Sequence, residues 1–116
     1  MSNYKDMEVW KLAIELAKTV YELTADFPSS ELYGLTSQMR RSSVSIASNV
    51  AEGAARSTDK EFIHFLYIAM GSAAELDTQY TLSKELQFGK GSPEFEKSLA
   101  DIRKMTAGLI RHLKNK

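Results

Sequence analysis

Glu61 and His64, in the run "EFIH", have the Glu-x-x-His spacing by which helical bundles hold carboxylate-bridged metal pairs, with both side chains on one face of a helix. Such a centre needs a second motif of the same kind and two further inward glutamates. The other histidine, His112, has Leu109 three residues before it, so the set is incomplete. Glu61 is also spaced to complete a helix cap begun by Thr58, a role that needs no metal. No metal or cofactor is expected. The chain contains no cysteine, which excludes disulfides, a thiolate nucleophile and cysteine-held zinc or iron. There is no glycine-rich phosphate loop, no nucleophile elbow and no serine-histidine-acid set. The residue types predict neither an enzyme nor a small-molecule substrate.

Arginines and serines carry what chemistry remains. The stretch "LTSQMRRSSVSIASNVAEGAA", residues 35–55, holds five serines and the pair Arg40 and Arg41. Adjacent helical residues point about 100° apart, so the two arginines diverge. Arg41 shares a flank with Gln38, Ser45, Asn49 and Glu52, whereas Arg40 lies nearer Val44 and Ala47. A guanidinium fork suits a carboxylate or a phosphate. Two uses stand: an ion pair, with Glu75 a candidate acid across a subunit contact, or a contact to a nucleic-acid backbone in which Arg56 would join. The serines likewise have two readings, as small residues that let helices approach closely, and as hydroxyls that contact a partner.

Charge is balanced, with 15 basic and 15 acidic side chains, so no global field drives the chain onto nucleic acid or an anionic membrane. The balance is uneven along the chain. Residues 97–116, with Arg103, Lys104 and Arg111 among them, carry a net +5, and residues 1–96 carry −5. That end is either a basic surface or a helix C-terminus whose unpaired carbonyls favour cations. The polar start "MSNYKDMEVW" and the lack of any stretch near the roughly 20 apolar residues of a membrane span lead to an expectation of a cytoplasmic protein without a membrane partner.

The elements that position these residues are helices. Val9, Ala13, Leu16, Val20, Leu23 and Phe27 form one stripe, predicting a helix from Asp6 to Asp26. In the second segment Leu35, Met39, Ser42, Ile46, Val50 and Gly53 form the stripe, and Val44, Ala47, Ala51 and Ala55 lie nearly opposite it. The third helix is predicted over Asp59–Leu86, with a main stripe through Phe62, Phe65, Leu66, Ala69, Ala73, Leu76 and Tyr80 and a second flank at Ile68, Leu82 and Leu86. Ser92 and Pro93 open a fourth helix with Phe95, Leu99, Ile102, Thr106, Leu109 and Leu113 inward. Tyr4, Trp10 and Tyr33 stand near helix starts and have two readings, core or edge packing, which is the expected one, and exposed rings on which bases stack. With no strand pattern and with short connections, the fold is all-α: one domain, an antiparallel up-down-up-down four-helix bundle. At 43% hydrophobic residues it can build its core without staples.

Helices two and three have more apolar sides than one bundle can bury, so self-association is predicted through Val44, Ala47, Ala51 and Ile68. The alternative is a groove for another protein's helix, which would make the chain an interaction or scaffold module.

The blocks "YKDMEVWKLAIELAKTVYELTADFP", "YGLTSQMRRSSVSIASNVAEGAAR" and "KEFIHFLYIAMGSAAELDTQ" resemble those of the four-helix-bundle proteins encoded in intervening sequences of bacterial 23S ribosomal RNA genes. They are also similar to accessory variability proteins of diversity-generating retroelements. The resemblance implies a bundle that assembles into a ring, with a homopentamer expected, and an RNA contact through basic surfaces. It maps the family's arginine-serine block onto Arg40, Arg41, Ser42, Ser43, Asn49 and Glu52 and carries over no catalytic residue.

Overall fold

The computed structural model describes residues 3–116. After a single-turn helix at Tyr4–Asp6 come α1 (Glu8–Thr24), a second single turn at Ser29–Glu31, α2 (Leu35–Ala54), α3 (Asp59–Glu85) and α4 (Pro93–Lys114). The first helix is thus shorter at both ends than its apolar stripe suggests. Asn3 Oδ1 accepts from the Lys5 amide and starts a separate turn, and Met7 is extended before α1 begins. At the other end Thr24 is the last helical residue, its Oγ1 donating back to the Val20 carbonyl at 2.7 Å.

The remaining boundaries follow local chemistry. Leu35 N–H, at the start of α2, donates to the Glu31 carboxylate at 3.0 Å in place of a side-chain N-cap. Thr58 caps α3 by accepting from the Glu61 amide, and its hydroxyl donates to the Glu61 carboxylate, so Glu61 performs the capping role. Gln87 ends α3 with a left-handed φ of 62° while Phe88 N–H returns to the Ser83 carbonyl. Ser92 caps α4 through the Phe95 amide, with Pro93 at the first helical position.

Each helix packs most closely on two neighbours, α1 on α2 and α4, α3 on α2 and α4. The result is the expected antiparallel four-helix bundle, about 46 Å long. Its core takes Val9, Ala13, Leu16 and Val20 from α1, Met39, Ile46 and Val50 from α2, Leu66, Ala73, Leu76 and Tyr80 from α3, and Phe95, Leu99 and Ile102 from α4. Buried hydroxyls answer to their own helix, Ser43 to the Arg40 carbonyl, Ser83 to that of Tyr80 and Thr106 to that of Ile102.

The closest approach joins α2 and α3. A Cβ on Gly53 would come within 2.9 Å of Phe62 Cδ1 and Phe65 Cβ, so only glycine fits there. Ala47 needs a correction: it is 5% exposed and belongs to this core. It stands seven residues from Arg40, on the flank of α2 turned toward α1, and its methyl is therefore not free for a subunit contact. Trp10 packs against the core, edge-on to Tyr4, as expected, whereas Tyr33 is 93% exposed. Among the described residues no helix is long and apolar enough to cross a membrane.

Candidate functional site

Because Ser42, Ser45 and Ser72 add little bulk, an open groove of about 340 Å³ runs along the outer seam between α2 and α3. Gln38, Arg41, Ser42 and Ser45 line it from α2, and Ser72, Glu75 and Gln79 line it from α3. Its serine floor is already bonded: Ser45 and Ser72 hydroxyls lie 2.9 Å apart, and Asn49 Nδ2 donates to the Ser45 carbonyl at 2.8 Å and its hydroxyl at 3.0 Å. Gln79 Oε1, by contrast, is shut off from solvent and accepts no hydrogen bond. A buried amide oxygen left without a donor costs about 1–3 kcal/mol. Arg41 and Glu75, both exposed on the groove walls, form no ion pair with each other or with another side chain among the described residues.

The two adjacent arginines have separate fates, as their divergence requires. Arg40 is half-buried; its Nε donates to Thr24 Oγ1 at 2.9 Å and its guanidinium lies 4.6 Å from the centre of the Tyr21 ring. It fastens α2 to α1 and is withdrawn from the groove. Arg56 is held by Glu52 at 3.1 Å and Glu61 at 4.0 Å, over the Phe65 ring. Arg103 pairs with Asp77 at 3.3 Å. Of the cations singled out from sequence, Arg41, Lys104 and Arg111 remain exposed and without an acidic partner among the described residues. Glu52 and Asn49 are occupied within the protomer.

The apolar candidates divide as well. Val44 is 43% exposed and Ile68 is 39% exposed, and Leu82 and Leu86 continue the flank of Ile68 along α3. Ala51 is half-buried and Ala47 fully so. On the far side of the bundle, Lys97, Lys104 and Arg111 recur every seventh residue on the exposed face of α4, about 10.5 Å apart by helical rise. Lys97 there bonds Asp101 at 2.8 Å, which raises its pKa.

A second polar cluster closes the end of the bundle. Tyr80 OH accepts from the Ser92 amide at 2.6 Å and donates to Glu96 Oε2 at 2.7 Å, with Lys84 3.7 Å from the same carboxylate. Burial, and the bond to Glu96 after it, push the Tyr80 phenol up to about 12. This cluster ties α3 to the start of α4. His64 is exposed against the Phe65 ring, apart from any metal-holding group; among the described residues no three histidine, aspartate or glutamate side chains converge.

Gln79 was missed, because burial of its amide oxygen depends on how closely α2 approaches and leaves no signal in the spacing of α3. Thr24 as the anchor of Arg40 was also missed. Its position four residues after Val20, on the core stripe, was the available signal.

Comparison with known proteins agrees with this architecture. A crystal structure of a protein of unknown function from the S23 ribosomal protein family of Bacteroides thetaiotaomicron VPI-5482 superimposes with a TM-score of 0.75 at 21% identity, over 88% of this chain and 97% of that one. At that identity the likeness establishes the fold. Among curated proteins none matches significantly. The model of the family described as 23S rRNA-intervening sequence protein matches residues 5–111, nearly the whole sequence, and the chain belongs to that family.

Proposed function

We propose that this protein is a non-catalytic, self-assembling bundle whose outer α2–α3 face meets further copies of itself. One observation carries the reading: Val44, Ile68, Leu82 and Leu86 remain 39–48% exposed on that face although the bundle core is complete without them. Aligned apolar exposure of this kind is what an interface buries. The resemblance noted above sets the expectation of a closed ring of five copies, which supplies such burial with no open end. Light scattering on the purified chain tests it. A discrete multiple of 13.0 kDa is expected; a monomer at micromolar concentration overturns it.

A second reading, an RNA contact in the cytoplasm, is favoured by the α4 stripe of Lys97, Lys104 and Arg111 and by the family's description in terms of 23S rRNA. Backbone contacts by these cations release counterions, so affinity should fall steeply with salt. Filter binding of a 23S rRNA fragment at low and moderate salt checks this. Affinity that drops with salt and is lost in Lys104→Glu/Arg111→Glu supports it, and no low-salt binding removes it.

A further inference from the structure

The α2–α3 groove is chemically unfinished within one protomer. Glu75 and Gln79 sit one helical turn apart on α3 and offer two acceptors, a carboxylate with no ion pair and an amide oxygen that is buried yet accepts nothing. No hydroxyl or amide of the groove donates to that oxygen within the protomer. What the site lacks is a forked donor able to bridge a carboxylate and a carbonyl, the geometry of a guanidinium. The protomer displays one on the same face: Arg41, on the α2 wall, has no acidic partner and does not close on Glu75. Its neighbour Arg40 is committed to Thr24 and Tyr21 and is not available.

Resting on the self-assembly proposed above, we infer that Arg41 of a second copy enters this groove and donates to the Glu75 carboxylate and, once the Gln79 amide turns its oxygen outward, to Gln79 Oε1. The cation lies on α2 and its acceptors on α3, so laying the α2 of one copy along the α3 of the next unites them in a two-fold pair or around a closed ring alike. Val44 on the α2 side and Ile68 on the α3 side then flank the pair and screen it from water. The groove is complete only when a second copy supplies its arginine.

Four chains test the pairing by light scattering and sedimentation over a dilution series: wild type, Arg41→Glu, Glu75→Arg and the double charge swap. Each single change places like charges together and is expected to raise the dissociation constant about a hundredfold or more, with helicity unchanged. The swap in one chain should recover most of the wild-type mass. Gln79→Leu adds a readout of opposite sign for the two cases. If the oxygen is bonded across the interface, the leucine weakens assembly; if it stays orphaned, the leucine stabilises the chain and leaves assembly alone. A wild-type oligomer that withstands both single changes, or a folded double swap no better than either, overturns the pairing and leaves self-assembly standing. A monomeric wild type removes both.

Discussion

Tyr80 shows how a single side chain can couple two helices and also leave a titration signature. Its phenol is 2% exposed and holds the Ser92 amide on one side and the Glu96 carboxylate on the other. Folding raises its pKa from 10.0 to about 12, chiefly by burial. A group whose folded pKa is raised contributes its full stabilisation below the unfolded value and loses it as pH climbs to the folded one. Stability should therefore hold up to about pH 10 on this account and decline between pH 10 and about 12. Tyr80→Phe should remove that component of the alkaline decline and cost about 1–2 kcal/mol at neutral pH, because the Ser92 amide and Glu96 lose their partner. Urea unfolding of both chains at pH 7 and pH 11 measures both effects; an unchanged pH profile in the variant would show that the phenol does not titrate with folding.

At the scale of elements, the closeness of α2 and α3 is set by small residues, and Gly53 is the tightest point. Alanine there would improve helix propensity by about 1 kcal/mol. Its methyl, however, would lie 2.9 Å from Phe62 and Phe65, and overpacking of that kind costs about 1–3 kcal/mol. Gly53→Ala should accordingly be destabilising overall, with the helices splayed at the α2–α3 turn; a rise in melting temperature would mean that the Phe62 ring and the α3 backbone at Phe65 both give way freely. The same packing explains the division among the serines. Ser42, Ser43 and Ser72 are buried between helices, as the close-packing reading requires, and Ser72 also meets the half-buried Ser45 at the floor of the groove.

At the scale of the whole molecule, the inward and outward faces of α2 can be told apart by placing a carboxylate on each. Ala47 is buried in the protomer, so Ala47→Glu strands an unpaired charge in the core and should cost several kcal/mol, lowering the helicity that survives at 37 °C. Val44 is 43% exposed, so Val44→Glu should leave the circular dichroism and melting of the protomer nearly intact while reducing the mass seen by scattering. A Val44→Glu chain that keeps the wild-type mass would place the self-association surface elsewhere. Charge acts at this scale as well. The net +5 of residues 97–116, in which the Lys97–Asp101 pair already cancels, is answered in part at short range, through Arg103 with Asp77 and Lys116 with Asp59. Exposed pairs of this kind contribute little to stability and leave Lys104, Arg111 and Lys114 as the cations of α4 without an acidic partner among the described residues.

Periodicity alone determined the four helices, their order and nearly every core residue, because an amphipathic stripe is written directly in the spacing of apolar side chains. The caps at Thr58 and Ser92 were legible for the same reason: they depend on residues three apart in the chain. Tertiary structure decided which of the extra small and charged residues are used up inside the protomer. Ala47 could be assigned inward only once α1 was known to lie beside it. Arg40 and Arg41, equivalent by type and adjacent in sequence, were separated by the position of Thr24 and Tyr21 on another helix. Burial of Gln79 Oε1 depends likewise on how nearly α3 approaches α2, a distance fixed by side-chain volumes on both helices and invisible in the spacing of either.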